Sequence, residues 1–74
     1  MIVNIEKVLD NLPFRISSTI HNLKDNYMNG CPQATKSEIE HNIVGYLIGI
    51  YDCDVITSQE REALYNYCIG KPIQ

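Results

Sequence analysis

"TKSEIEHNIVGYLIGIYDCDVITSQEREALYNYCIG", residues 35–70, decides the fold class. Two capping boxes frame it, Thr35-x-x-Glu38 and Thr57-x-x-Glu60. In such a box the hydroxyl accepts from the backbone N–H three residues on, and the carboxylate accepts from the cap residue's own N–H. Two orphan amides of a new helix are thereby satisfied. Ser37-x-x-Glu40 fits the same pattern, but Thr35 gives the longer helix. After Thr35, Ile39, Ile43, Tyr46, Leu47 and Ile50 recur at helical spacing and form a core face, predicting a helix over 36–51. Val44, Ile48 and Tyr51 add an apolar flank beyond that face, more than one helix of a miniature bundle ordinarily needs. After Thr57, Ala63, Leu64, Tyr67 and Cys68 repeat the pattern, and Gly70 followed by Lys71-Pro72 ends a helix over 58–69.

Upstream, Ile16, Ile20, Leu23 and Tyr27 form one narrow stripe on a helix over 13–28. Pro13 suits its first turn, where a missing N–H is harmless. Phe14 falls off the stripe and is expected to pack back on the preceding helix. "NGCPQATK" breaks the chain: Asn29 or Gly30 takes a left-handed cap and Pro32 forbids continuation. The first helix, over 3–11, carries Ile2, Ile5, Val8 and Leu12, with Asn4 at its start. Pro13 stops it and holds Leu12 extended. No stretch alternates apolar and polar with the period of a strand. The fold class is all-α: a small bundle of three to four antiparallel helices with short loops, one domain over 1–74.

A chain of 74 residues buries only about 60% of the surface its unfolded form exposes. Nine acids against six lysines and arginines give a net charge of -3. Nucleic-acid binding rests on clustered cations, so a nucleic-acid partner is not expected. Three cysteines, Cys31, Cys53 and Cys68, are an odd count without C-x-x-C spacing, unlike a secreted disulfide framework. Cys31, in a polar loop, is expected to be the most exposed thiol, and Cys68 a core residue. The opening "MIVNIEKVLD" lacks the pattern of a signal peptide, and the apolar run from Val44 to Tyr51 is far short of the roughly 20 residues that span a bilayer. The expectation is a cytoplasmic protein without membrane association.

Asp52-Cys53-Asp54 invites a metal or redox reading. A calcium loop starting at Asp52 would need glycine and glutamate where Thr57 and Ala63 stand, so a helix-to-helix corner is the simpler reading. His21, His41 and the three cysteines could ligate zinc, but no close ligand pair exists. Two flanking aspartates disfavour a Cys53 thiolate, and no phosphate-cradling glycine loop occurs. The chain is therefore expected to be neither an enzyme nor dependent on a cofactor.

Gly45 and Gly49 lie one turn apart inside a helix, each costing about 1 kcal/mol relative to alanine. Close approach by another helix would compensate, either an internal one (the first or second) or one from a partner or second copy. Tyr65 falls away from the core face of its helix; it is either an interface residue or an ordinary half-exposed tyrosine.

"IYDCDVITSQEREALYNY", residues 50–67, resembles a helical hairpin of bacterial and phage proteins, with the form helix, "Y-D-x-G-x-I-T", "x-E-E/R", helix. Small uncharacterised phage and prophage proteins carry something like it. Tyr51, Asp52, Val55, Ile56, Thr57, Glu60, Glu62 and Leu64 match, and Asp54 replaces the usual glycine. The resemblance implies that Ile56 plugs the corner and Thr57 caps the second helix; it implies no activity. By size and acidity the chain is also similar to phage accessory proteins that inhibit host factors, anti-CRISPR proteins among them.

The function expected is a small protein-binding module, a homodimer being one form of it. Gly45, Ile48, Gly49, Tyr51 and Tyr65 are the candidate contact residues. Glu38, Glu40, Glu60 and Glu62, with Asp10 and Asp25, form an acidic surface able to mimic phosphates. The alternatives are a helical DNA-binding regulator, for which Arg61 is the one cation on the last helix, and a zinc-stabilised module.

Overall fold

The computed structural model describes residues 3–71; Ile2 and Pro72 lie outside the described residues. Four helices follow one another: α1 (Ile5–Asn11), α2 (Phe14–Asn29), α3 (Lys36–Asp52) and α4 (Ser58–Cys68). The described chain is an all-α bundle.

Local chemistry sets most boundaries. Asn4 caps α1 by accepting from Lys7 N at 3.2 Å, so the helix starts at Ile5 rather than at residue 3. Leu12 is extended, with ψ 152°, as its proline neighbour requires. Pro13 is itself the cap of α2, and its carbonyl accepts from Ile16 N and Ser17 N. Gly30, with φ 87°, ends α2. Both capping boxes close: Glu38 N donates to Thr35 Oγ1 at 3.2 Å, and Glu60 N to Thr57 Oγ1 at 3.1 Å. The returning bonds run from Thr35 N to Glu38 Oε1 at 3.2 Å and from Thr57 N to Glu60 Oε1 at 2.8 Å.

α3 and α4 end in the same motif. Val55 N donates to Ile50 O, and Asp54 N to Tyr51 O; Lys71 N donates to Asn66 O, and Gly70 N to Tyr67 O. This pair of hydrogen bonds satisfies last-turn carbonyls and demands one left-handed residue. At α4 that residue is Gly70, φ 76°; at α3 it is Asp54, φ 61°. Aspartate tolerates this region better than most side chains, so the corner forms without a glycine. Ile56 then turns inward and is buried, and Thr57 caps α4.

α4 is the hub. It packs against α1, α2 and α3, while α2 also packs against α3. Ile20, Ile43, Leu47, Leu64 and Cys68 are fully buried, ringed by Ile5, Val8, Leu9, Ile39, Ile56 and Ala63. Polar stitches tie the elements together. Ser17 Oγ donates to Leu9 O at 2.6 Å, joining α2 to the last turn of α1. Lys24 Nζ donates to Tyr67 O at 3.1 Å and sits 4.4 Å from the Tyr67 ring centre, joining α2 to the end of α4. Phe14 does not pack on α1: it is 85% exposed. α1 lays its apolar side on α4, which leaves the first residue of α2 open.

Candidate protein-binding surface

Helical spacing gives α3 two apolar rows. Ile39, Ile43 and Leu47 point into the bundle and are buried. Val44 and Ile48 lie roughly a third of a turn around the helix from them, with Tyr51 on the same flank, and α4 covers that flank only in part. They are 37%, 40% and 36% exposed, and Val55 continues the apolar run into the corner at 37%.

Beside this row, α3 and α4 form a groove of about 240 Å³. Val44, Leu47 and Ile48 line it from α3; Arg61, Glu62 and Tyr65 line it from α4. The Tyr65 hydroxyl donates to Glu40 across the two helices. The hydrogen bond to that carboxylate, followed by burial, raises the Tyr65 pKa. Arg61 lays its guanidinium carbon 4.9 Å from the centre of the Tyr51 ring. Its Nε is buried and makes no hydrogen bond within the described residues.

The candidate contact residues separate accordingly. Ile48 and Tyr51 are on the open flank, and Tyr65 is half-buried in the groove wall. Gly45 and Gly49 face open space: a Cβ at either would meet nothing within 4 Å. Among the described residues no helix approaches them, which overturns the internal version of the close-approach expectation. α2 packs on the other side of α3, where Ile39, Ile43 and Leu47 already fill the contact. Among the acids, Glu38 and Glu60 are engaged in the capping boxes and Glu40 in the bond to Tyr65, while Glu62 lines the groove. Three of the four are therefore already engaged locally. Sequence reading missed Arg61 and Val55 as members of this surface. The one-turn spacing of Arg61 and Tyr65, which puts both on one side of α4, was the available signal for Arg61.

Charge is divided between the two halves of the chain. Residues 36–68 hold six carboxylates (Glu38, Glu40, Asp52, Asp54, Glu60 and Glu62) against Lys36 and Arg61, a net of -4. Residues 3–35 balance Glu6, Asp10 and Asp25 with Lys7, Arg15 and Lys24. The exposed apolar row lies on the acidic half.

The cysteines are free. Cys53, not Cys31, is the exposed thiol: it sits at the outer end of α3, whereas the turn that pairs Cys31 with Ala34 half-buries Cys31. Cys68 is fully buried against Ile20 O at 3.8 Å, and burial pushes its pKa up to about 11. Among the described residues no three histidine, cysteine or carboxylate side chains converge as a metal site, and no helix is long and apolar enough to cross a membrane. Compared with protein-family models, with curated proteins and with solved structures, the chain matches none, so its surface is read from its own chemistry alone.

Proposed function

We propose that the protein is a small protein-binding module that acts through the outer flank of α3 and the groove between α3 and α4. The observation that carries this reading is the row Val44, Ile48, Tyr51 and Val55, exposed together beside an apolar groove. Single exposed apolar residues are ordinary; several that adjoin and are rimmed by charge mark interaction surfaces. Tyr51 and Tyr65 add stiff aromatic area that orders cheaply on binding. The two open glycines keep the neighbouring strip of α3 low, so an incoming chain can approach the backbone there. If the likeness of the corner to phage and prophage hairpins extends to role, the partner is a host protein and occupying its surface is inhibitory.

The test is capture from a lysate by the wild-type protein and by Ile48→Asp, with circular dichroism showing that both are folded. A protein retained by the wild type and released by Ile48→Asp supports the reading. Equal retention by both, or salt-sensitive retardation of DNA in a mobility-shift assay, overturns it.

A further inference from the structure

We infer that the protein pairs with a second copy of itself through the outward side of α3, the two helices running antiparallel. This rests on the protein-binding reading above and names the occupant of that side.

The side of α3 turned away from Ile39, Ile43 and Leu47 carries His41, Gly45, Ile48 and Asp52, all exposed. They are spaced four, three and four residues apart, so they form one straight row along the helix. That spacing reads the same in either direction. A two-fold axis midway between Tyr46 and Leu47 therefore lays the row on its own reverse. Each contact then occurs twice, as an isologous interface requires.

Shape and chemistry match across that axis. Ile48 of one copy meets Gly45 of the other, where a Cβ would find nothing within 4 Å. A large side chain is thus set into a gap, and the missing Cβ lets the two backbones come close. This contact alone fixes the register, and His41 then falls opposite Asp52 in both halves. An imidazole N–H there faces a carboxylate, a donor to an acceptor. Val44 falls opposite Gly49, the second open glycine, in the same register. Glu38, on the same side of α3, turns its carboxylate back to Thr35 and away from this pairing.

The row selects this occupant over others. A parallel pairing would set Asp52 against Asp52 and Ile48 against Ile48, and would leave the glycines facing each other. An unrelated protein would have to bring a side chain for the Gly45 gap, a small residue beneath Ile48, an acceptor for His41 and a donor for Asp52. A second copy brings all four. One helix pair is a small interface, below the roughly 1,200 Å² of total buried surface at which stable complexes begin, so the dimer is weak and forms with rising concentration.

The experiment is sedimentation velocity of the full chain from about 10 µM to about 1 mM, the range in which weak interfaces associate. The mass is expected to rise from one chain toward two. Gly45→Leu enlarges the apolar surface but fills the gap, and should weaken the dimer at least about tenfold, whereas a merely sticky patch would associate more. His41→Asp and Asp52→Lys should each weaken it several-fold. The two together should restore it, because opposite charges again face each other in both halves. Circular dichroism is used to show that each variant is folded.

A monomer throughout the concentration range overturns the inference, and so does a dimer that tolerates Gly45→Leu. A double variant as weak as the single ones means that positions 41 and 52 do not meet, which overturns it too. If a monomeric protein still captures a lysate protein through Ile48, the inference fails and the protein-binding reading stands.

Discussion

Ile43 and Ile48 stand five residues apart on the same helix. Ile43 is fully buried and Ile48 is 40% exposed. Residue type and helix propensity are identical, so neither explains the difference. Ile43 faces the side of α3 that α2 and α4 cover, whereas Ile48 is on a flank that, among the described residues, α4 covers only in part. Burial is thus a property of what lies opposite. In a bundle this small, the inner row of α3 holds the fold together, while the outer row stays partly exposed.

The sharpest way to test that division is to shorten matched residues on the two rows. Leu47→Ala removes a fully buried side chain between α3 and α4, and should cost about 2–5 kcal/mol in urea unfolding. That is a large part of the stability of a marginal domain. Ile48→Ala should cost clearly less in the same experiment. Equal losses would mean that the outer row is structural.

The inner side carries a titration of its own at Cys68. Cys68 is protonated in the fold, with its pKa raised from 9.0 to about 11. The folded state therefore holds a proton that the unfolded chain gives up first. The contribution is complete below pH 9 and fades as pH climbs through the window from 9 to about 11. By the top of that window the loss is about 2–3 kcal/mol. Tyr67, raised mainly by burial, and Tyr65 act in the same direction above their ordinary value of 10.0. Unfolding measured across pH 8–11 should show the decline, and Cys68→Ala should flatten its first part.

A smaller effect of opposite sign is expected on the outer side. Gly45→Ala and Gly49→Ala place a methyl group where nothing lies within 4 Å, in a helical backbone that alanine prefers. Each should stabilise the protein by about 0.4–1 kcal/mol. If capture of a partner is lost in these stabilised variants, the glycines are kept for close approach. If capture is unchanged, they are spectators.

Ile48→Asp removes a side chain that is only 40% exposed and should cost about 0.5–1.5 kcal/mol, still well short of Leu47→Ala. Its loss of partner binding should nevertheless be complete. A variant that binds normally would remove the outer row from the function.

Much of the fold was legible in the linear chain, for a definite reason. Caps are local devices: Asn4, Thr35 with Glu38, Thr57 with Glu60, and Gly70 each act on a backbone group within a few residues, so short spacings suffice to read them. The corner at Asp54 was local too, although aspartate in place of glycine made its left-handed turn less evident. The inner stripes were legible because helical periodicity sums them over several turns. Candidate site residues were less so. Tyr65 and Glu40 stand 25 positions apart, and only the packing of α3 on α4 brings the phenol to the carboxylate.

Helix, cap and core stripe are thus written in the order of residues, since backbone hydrogen bonding and the period of 3.6 operate at short range. Tertiary packing alone decided which apolar surface was left over. It opened Cys53, half-buried Cys31, stranded Phe14 in solvent and left one flank of α3 partly exposed. The physical reason is that burial needs an opposing surface, and four short helices around α4 do not offer enough of it for every apolar side chain.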